Sequence, residues 1–220
     1  LREEHLPTRF AMNRNGLAVR KQLNAIASLT KALHQMEATL RSVDEAHDVL
    51  GTTPLHAITA IEETVKDLRK QIRALETEFT ACAQEQDRER IERFDTIPGV
   101  STLTAAIVAH WCTGMPEQSV RSWTAFAGLD VSVRQSGVWR GRGKLTKRGS
   151  PYLRKRLYQA AWGAVMNDDA FKERYRMLRS RGRSHVAAVN IIARKLIRTM
   201  FMLDRNQCTY DPALAFTPTP

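Results

Sequence analysis

A chain of 220 residues with 43% hydrophobic content can bury a core in one domain or two small ones, which excludes wholesale disorder. Its 34 Lys and Arg outnumber 23 Asp and Glu for a net charge of +11, a self-repulsion that a polyanion relieves, phosphate backbones foremost. No run approaches about 18 uninterrupted apolar residues, LREEHLPTRF is no secretory signal, and Cys82, Cys112 and Cys208 have neither zinc-site nor disulfide-framework spacing, so a cytoplasmic setting without a membrane is expected.

The first part of the chain reads as long helices. Val19, Leu23, Ile26, Leu33 and Leu40 mark one apolar stripe, and the GTTP at 51–54 ends one helix and opens the next. In the second helix Ile58, Ile61, Val65, Leu68, Ile72, Leu75, Phe79 and Cys82 alternate spacings of three and four. That is the a/d pattern of a helical hairpin or coiled coil, with Glu63, Lys66, Arg69 and Lys70 on the solvated side. It predicts helix packing and a homo-oligomer formed through the arm, and gives little support for a role in chemistry.

From Asp95 glycines, prolines and all four tryptophans appear, as in a compact domain. TIPGVSTLTAAIVAHW, residues 96–111, predicts a tight turn and a small-residue helix, similar to the turn of helix-hairpin-helix modules. Such a turn aims backbone N–H groups of residues such as Gly99 and Ser101 at a phosphate; the bland alternative is that it packs Ile97 and Val100 on the core. SWTAFAGLD, residues 122–130, predicts a short helix with Trp123 and Phe126 inward, stopped near Gly128.

RQSGVWRGRGKLTKRGSPYLRKR, residues 134–156, follows with nine Arg or Lys in 23 positions and no acid. Gly137, Gly141, Gly143 and Gly149 make 137–149 a loop or irregular hairpin, and Ser150-Pro151 reads as an N-cap followed by proline in the first helical turn. Arg154, Lys155 and Arg156 near a helix start oppose its dipole, which calls for compensation from outside the protein. The candidate nucleic-acid contacts here are Arg134, Arg140, Arg142, Lys144, Lys147, Arg148, Arg154 and Lys155. Arg181 and Arg183 form a second cationic turn before a final helix carrying Val186, Val189, Ala193, Leu196, Ile197 and Met200, with His185 as a cap or phosphate donor. Residues 206–220, with three prolines, predict a flexible tail.

Ser136 has little claim to chemistry on spacing alone: Asp130 is the one nearby acid, and no His completes a triad. IPGVSTLTAAIVAH, FAGLDVSVRQSG and GKLTKRGSPYLRKRLYQAAW, however, resemble in order and spacing the C-terminal domain of the Piv/MooV-like DEDD insertion-sequence transposases, the bridge-RNA-guided recombinases. Leu145 to Ser150 stands in for that family's ISKRGN core, Ser101 departs from its usual glycine, and the helical part resembles its coiled-coil region. The resemblance implies that Ser136, the serine immediately before a glycine, attacks the scissile phosphate; Ser132, followed by Val133, is the nearest competitor. It also implies a RuvC-like DEDD domain holding Mg²⁺, upstream or in trans, with no metal ligand or other cofactor in this chain.

The combined expectation is a mostly all-α fold: a helical arm over 1–94, a compact basic domain over 95–205 and the tail. The function expected is the DNA-binding and guide-RNA-binding, serine-bearing part of a transposase or recombinase, inactive without its DEDD partner and nucleoid-associated when on double-stranded DNA. The alternative is a non-catalytic nucleic-acid-binding or structural protein derived from the same fold.

Overall fold

The computed structural model describes the backbone of residues 14–50, 55–113, 119–132, 135–136, 139–140 and 144–214. Seven helices appear among them: α1 (Arg14–Leu50), α2 (Leu55–Asp95), α3 (Thr102–Thr113), α4 (Val120–Phe126), α5 (Pro151–Asn167), α6 (Asp169–Ser180) and α7 (His185–Asn206). Strands are confined to two-residue segments: β1 (Val131–Ser132), β2 (Gln135–Ser136), β3 (Trp139–Arg140) and β4 (Lys144–Leu145). The fold is therefore all-α, as the apolar spacing predicts. The chain divides into two compact units, Ala11–Ala83 and Gln84–Pro220. Helix α2 runs through the predicted boundary near residue 94 and has its non-helical residue earlier, at Asp87 (φ −151°, ψ 56°).

In the first unit Val65, Ile72 and Phe79, seven residues apart, are buried, while Ile58, Ile61, Leu68, Leu75 and Cys82 are half-buried. One heptad position thus faces inward and the other lies at its edge. Leu23 and Ile26 of α1 are buried; Leu33 and Leu40 are half-buried, and the side chain of Val19 lies outside the described residues, as does the GTTP break. Gln22 Nε2 donates to Glu78 Oε1 at 3.2 Å and Arg69 Nη2 to Glu37 Oε1 at 2.8 Å. Early α1 thus meets late α2 and later α1 meets earlier α2, the order of an antiparallel pair.

The second unit is organised around α5 and α7: α5 packs on α3, α6 and α7, and α7 also packs on α4 and α6. Helix α3 is buried from Thr104 through Ala109, and its small residues let neighbouring elements approach closely. Trp123 meets Phe94 edge-on at 6.3 Å and Phe201 at 5.3 Å between centroids. Burying each such phenylalanine contributes about 1.5–3 kcal/mol. Acids tie elements of this unit together. Asp204 accepts from Arg90 Nε at 2.7 Å and Arg93 Nη1 at 3.3 Å. Buried Asp168 caps α6 by accepting from the Phe171 N–H at 2.9 Å and takes the Tyr210 hydroxyl at 3.0 Å on its other oxygen. Tyr210 also stacks on Phe171, and its N–H donates to Thr96 Oγ1 at 2.9 Å. Of the segment predicted to be a flexible tail, this part is docked, and Pro212–Leu214 forms a 3₁₀ turn.

The IPG turn owes its glycine to packing. Gly99 has φ +85°, and a Cβ there would lie 2.1 Å from the carbonyl carbon of Gly163 in α5. Ile97 and Val100 on either side are buried. Gly99→Ala adds both left-handed strain and a backbone collision, so it is expected to destabilise this unit by about 2 kcal/mol or more. Thermal unfolding followed by circular dichroism checks it; an unchanged midpoint would show that the two backbones are not in contact.

Candidate nucleic-acid interface

The basic stretch is built as a short hairpin on a rigid base. Val131 and Ser132 pair antiparallel with Leu145 and Lys144; Gln135 and Ser136 pair with Arg140 and Trp139. Two residues separate the paired segments on the outgoing side and three on the returning side, so the ladders are offset by one residue. Ser136 lies at the closed end, with only two residues between it and Trp139. Ser132, its competitor, sits on the base ladder opposite Lys144.

That base begins with the end of α4. Gly128 (φ +67°) donates its N–H to the Ala125 carbonyl at 2.9 Å, and Leu129 donates to Thr124 at 3.1 Å. These are the paired bonds of a Schellman motif, which is why the helix stops where glycine follows it. The Thr146 N–H then donates to the Asp130 carbonyl at 2.9 Å, extending the pairing beyond β1 and β4. Gly149 closes against the same turn: a Cβ on it would lie 1.8 Å from the Phe126 carbonyl oxygen and 2.5 Å from the Gly128 nitrogen. The AGL and KRGS blocks, twenty residues apart, are thus in backbone contact. Ser150 caps α5 by accepting from the Leu153 N–H at 3.3 Å, and Pro151 is its first residue.

Cations surround this base. Lys147 and Arg148 are exposed, and Lys147 takes a left-handed φ of 54°, which costs about 1–2 kcal/mol outside glycine. Arg154 lies over the base, its Nη1 at 2.4 Å from where a Gly128 Cβ would be. That Nη1 is buried and makes no hydrogen bond among the described residues, and burial pulls the guanidinium below the ordinary arginine range. Lys155 is half-buried beside it in sequence. Arg156, grouped with these on sequence as needing outside compensation, instead turns inward: it lies 5.2 Å from the Tyr152 ring centroid and donates to its hydroxyl at 3.0 Å. Asp130 faces Arg194 of α7, 3.9 Å away.

The remaining predicted residues fall elsewhere. Ser101 is a helix cap, accepting from the Thr104 N–H at 3.3 Å, and with the Gly99 contact this accounts for the turn by packing and capping. Arg181 and Arg183 are exposed in the turn between α6 and α7. Ser184, rather than His185, caps α7 by accepting from the Ala187 N–H; the His185 imidazole pairs with the Tyr175 hydroxyl at 2.9 Å, beside Trp162. A hydroxyl one residue earlier reaches the N–H that the ring does not. Arg134 and Arg142 lie outside the described residues, as do the side chains of Ser136, Arg140 and Lys144. Among the described residues no three His, Cys, Asp or Glu side chains converge as metal ligands. No described helix is long and apolar enough to cross a membrane.

Residues 91–176 match the family model described as Transposase IS116/IS110/IS902 family. The chain is 23% identical over 181 residues to an uncharacterized 43.6 kDa protein of insertion element IS110 from Streptomyces coelicolor, covering 78% of this chain and 44% of that protein. It is 27% identical over 165 residues to an uncharacterized 44.8 kDa protein of insertion element IS116 from Streptomyces clavuligerus, covering 74% of this chain and 39% of that protein. The chain therefore spans less than half the length of these relatives. The matched segment holds the α3 turn, the hairpin and α5.

A cation held with a buried, unsatisfied donor works against the fold and for an anion. Arg154→Met removes the charge and the buried donor beside Gly128 and keeps an unbranched apolar side chain. It is expected to leave thermal stability unchanged or raise it by about 1 kcal/mol, while weakening nucleic-acid binding. Melting curves and filter binding on the same preparation check both halves; a clear loss of stability would make Arg154 a structural tie instead.

Proposed function

We propose that this chain is the nucleic-acid-engaging, serine-bearing part of an insertion-element transposase, acting on double-stranded DNA with a structured guide RNA. The observation that carries the reading is the place of the basic hairpin: it lies inside the segment matching the transposase family and has Ser136 at its closed end. Arg140, Arg142, Lys144, Lys147, Arg148 and Arg154 hold phosphates and fix register; they do not read bases. The half-buried second heptad position of the arm offers a seam through which copies of the chain associate.

In this reading the Ser136 Oγ attacks phosphorus, an Oγ–P bond forms, and the P–O bond to one sugar breaks. The sugar oxygen leaves and takes a proton, and the hydroxyl proton passes to a base. A primary hydroxyl is a weak nucleophile until such a base is in place. The described residues near the hairpin offer one carboxylate, Asp130, already facing Arg194. The base, and the Mg²⁺ of the enzyme, are assigned to a RuvC-like DEDD domain in the rest of the protein or in trans.

Two experiments test this. Neutralising Arg140, Arg142 and Lys147 together is expected to weaken binding to unrelated duplexes alike and to flatten log K against log salt by about 0.9 per lost phosphate contact. An unchanged slope in filter binding would remove the hairpin from the interface. With the DEDD domain, guide RNA, both DNA partners and Mg²⁺ supplied, the protein is expected to form a phosphoserine-linked DNA that survives denaturing gels and is removed by protease. Ser136→Ala is expected to abolish the adduct and leave binding nearly intact. An adduct persisting in that variant would move the nucleophile to Ser132, and binding without any adduct in the native protein would favour a non-catalytic nucleic-acid-binding role.

A further inference from the structure

A second cationic surface lies where α6 and α7 pack together. Between them and the 3₁₀ turn Pro212–Leu214 is a cavity of about 800 Å³. Arg174 enters it from α6, and Arg194, Lys195 and Arg198 from α7. Glu173 is the one acid in the lining, so four cations face one carboxylate. The floor is apolar, with Met177, Ile191 and Ile192.

Arg174 and Arg198 are exposed. Arg194 finds an acid only at 3.9 Å, in Asp130, and its Nε is buried without a hydrogen bond among the described residues. Burial first, then the like charges of Arg198 and Arg174, pull the Lys195 ammonium below the ordinary lysine range. Like charges that desolvate and repel one another destabilise the empty site and are relieved by a bound anion.

We infer that the α6–α7 cavity is a second nucleic-acid site, one that takes a single strand by its phosphates and lays sugar and base faces on the apolar floor. Arg194 and Arg198 are one helical turn apart, about 6 Å along α7, and present two cations in file. At about 800 Å³ the cavity has the size of a small-ligand pocket, room for roughly one or two nucleotides of a single strand and not for a duplex. The apolar floor suits bases that have left their stack, which a free phosphate or a duplex exterior would not use. Arg194 also ties the site to the hairpin, because Asp130 immediately precedes β1. A strand lying in the trough therefore ends beside the base of the loop that carries Ser136. The inference rests on the reading of the chain as a nucleic-acid-engaging part, but it concerns different residues.

The test uses the full chain, a fluorescein-labelled oligo-dT, a duplex of unrelated sequence, and anisotropy titrations over several salt concentrations. The variant is R174Q/R198Q, both positions being exposed, and R140Q/R142Q/K147Q serves as the hairpin comparison. R174Q/R198Q is expected to lose affinity for oligo-dT and to flatten its salt slope by about 1.4, at about 0.7 per phosphate on a single strand, with little change on the duplex. As a readout that needs no variant, acetylation of Lys195 in the native protein, followed by mass spectrometry, is expected to slow when oligo-dT is bound. Unchanged oligo-dT binding together with unprotected Lys195 would overturn the inference, as would an equal loss on the duplex. Displacement of oligo-dT by poly-glutamate at matched charge would overturn it in favour of an acidic peptide. If the hairpin variant binds normally while R174Q/R198Q does not, the hairpin reading fails and this site stands; the reverse result separates them the other way.

Discussion

Backbone contact between two glycine-bearing turns is the constraint on which the interface depends. Gly149 lies against the Phe126 carbonyl and the Gly128 nitrogen so closely that neither glycine leaves room for a Cβ. This contact fixes the end of α4 to the start of α5 and holds together the two ends of the hairpin that springs from between them. The Thr146–Asp130 bond and the β1–β4 ladder continue outward from it. Arg154 is set above the same point. Loosening the contact would release the loop with Ser136, the exposed pair Lys147 and Arg148, and Arg154 together, since each is located relative to it. The neighbouring Gly99–Gly163 contact does the same for α3 against α5.

On this frame the electrostatics are asymmetric. Several acids of the second unit tie its elements together, Asp204 with Arg90 and Arg93, buried Asp168 with α6 and Tyr210, and Asp95 with Thr102, while Asp130 faces Arg194 beside the hairpin. The hairpin stretch contains no acid, and the α6–α7 trough has one. Burial of Arg154 and the crowding of Lys195 by Arg198 and Arg174 lower the pKa of both cations, which accords with the proposed polyanion partner.

Much of this was legible in the sequence where the signal is local or periodic. The heptad spacing marked Val65, Ile72 and Phe79 as buried, Ser150-Pro151 announced the start of α5, and Gly128 announced the end of α4. Residues meeting across long stretches of chain were not legible, because neither period nor propensity encodes them. The IPG turn read either as a phosphate cradle or as core packing, and the partner its glycine packs against, Gly163, lies 64 residues on. Arg156 read as part of the cationic surface, yet it stacks on a tyrosine one turn earlier in the helix. Arg194, Lys195 and Arg198 follow no local motif in the sequence, and they form a common lining only when α6 supplies Arg174. Ser136 was singled out mainly by resemblance, and the ladder places its backbone at a hairpin end.

The central claim is that the compact unit meets nucleic acid through the hairpin and the start of α5, on a base held rigid by glycine contacts. Amide hydrogen exchange of the full chain, with and without a saturating DNA duplex at low salt, tests it most directly. Slowed exchange concentrated in residues 130–156, with the seam from Ile58 to Cys82 unchanged, is the expected result. Slowed exchange confined to the helical arm, with 130–156 exchanging as in the free protein, would contradict it.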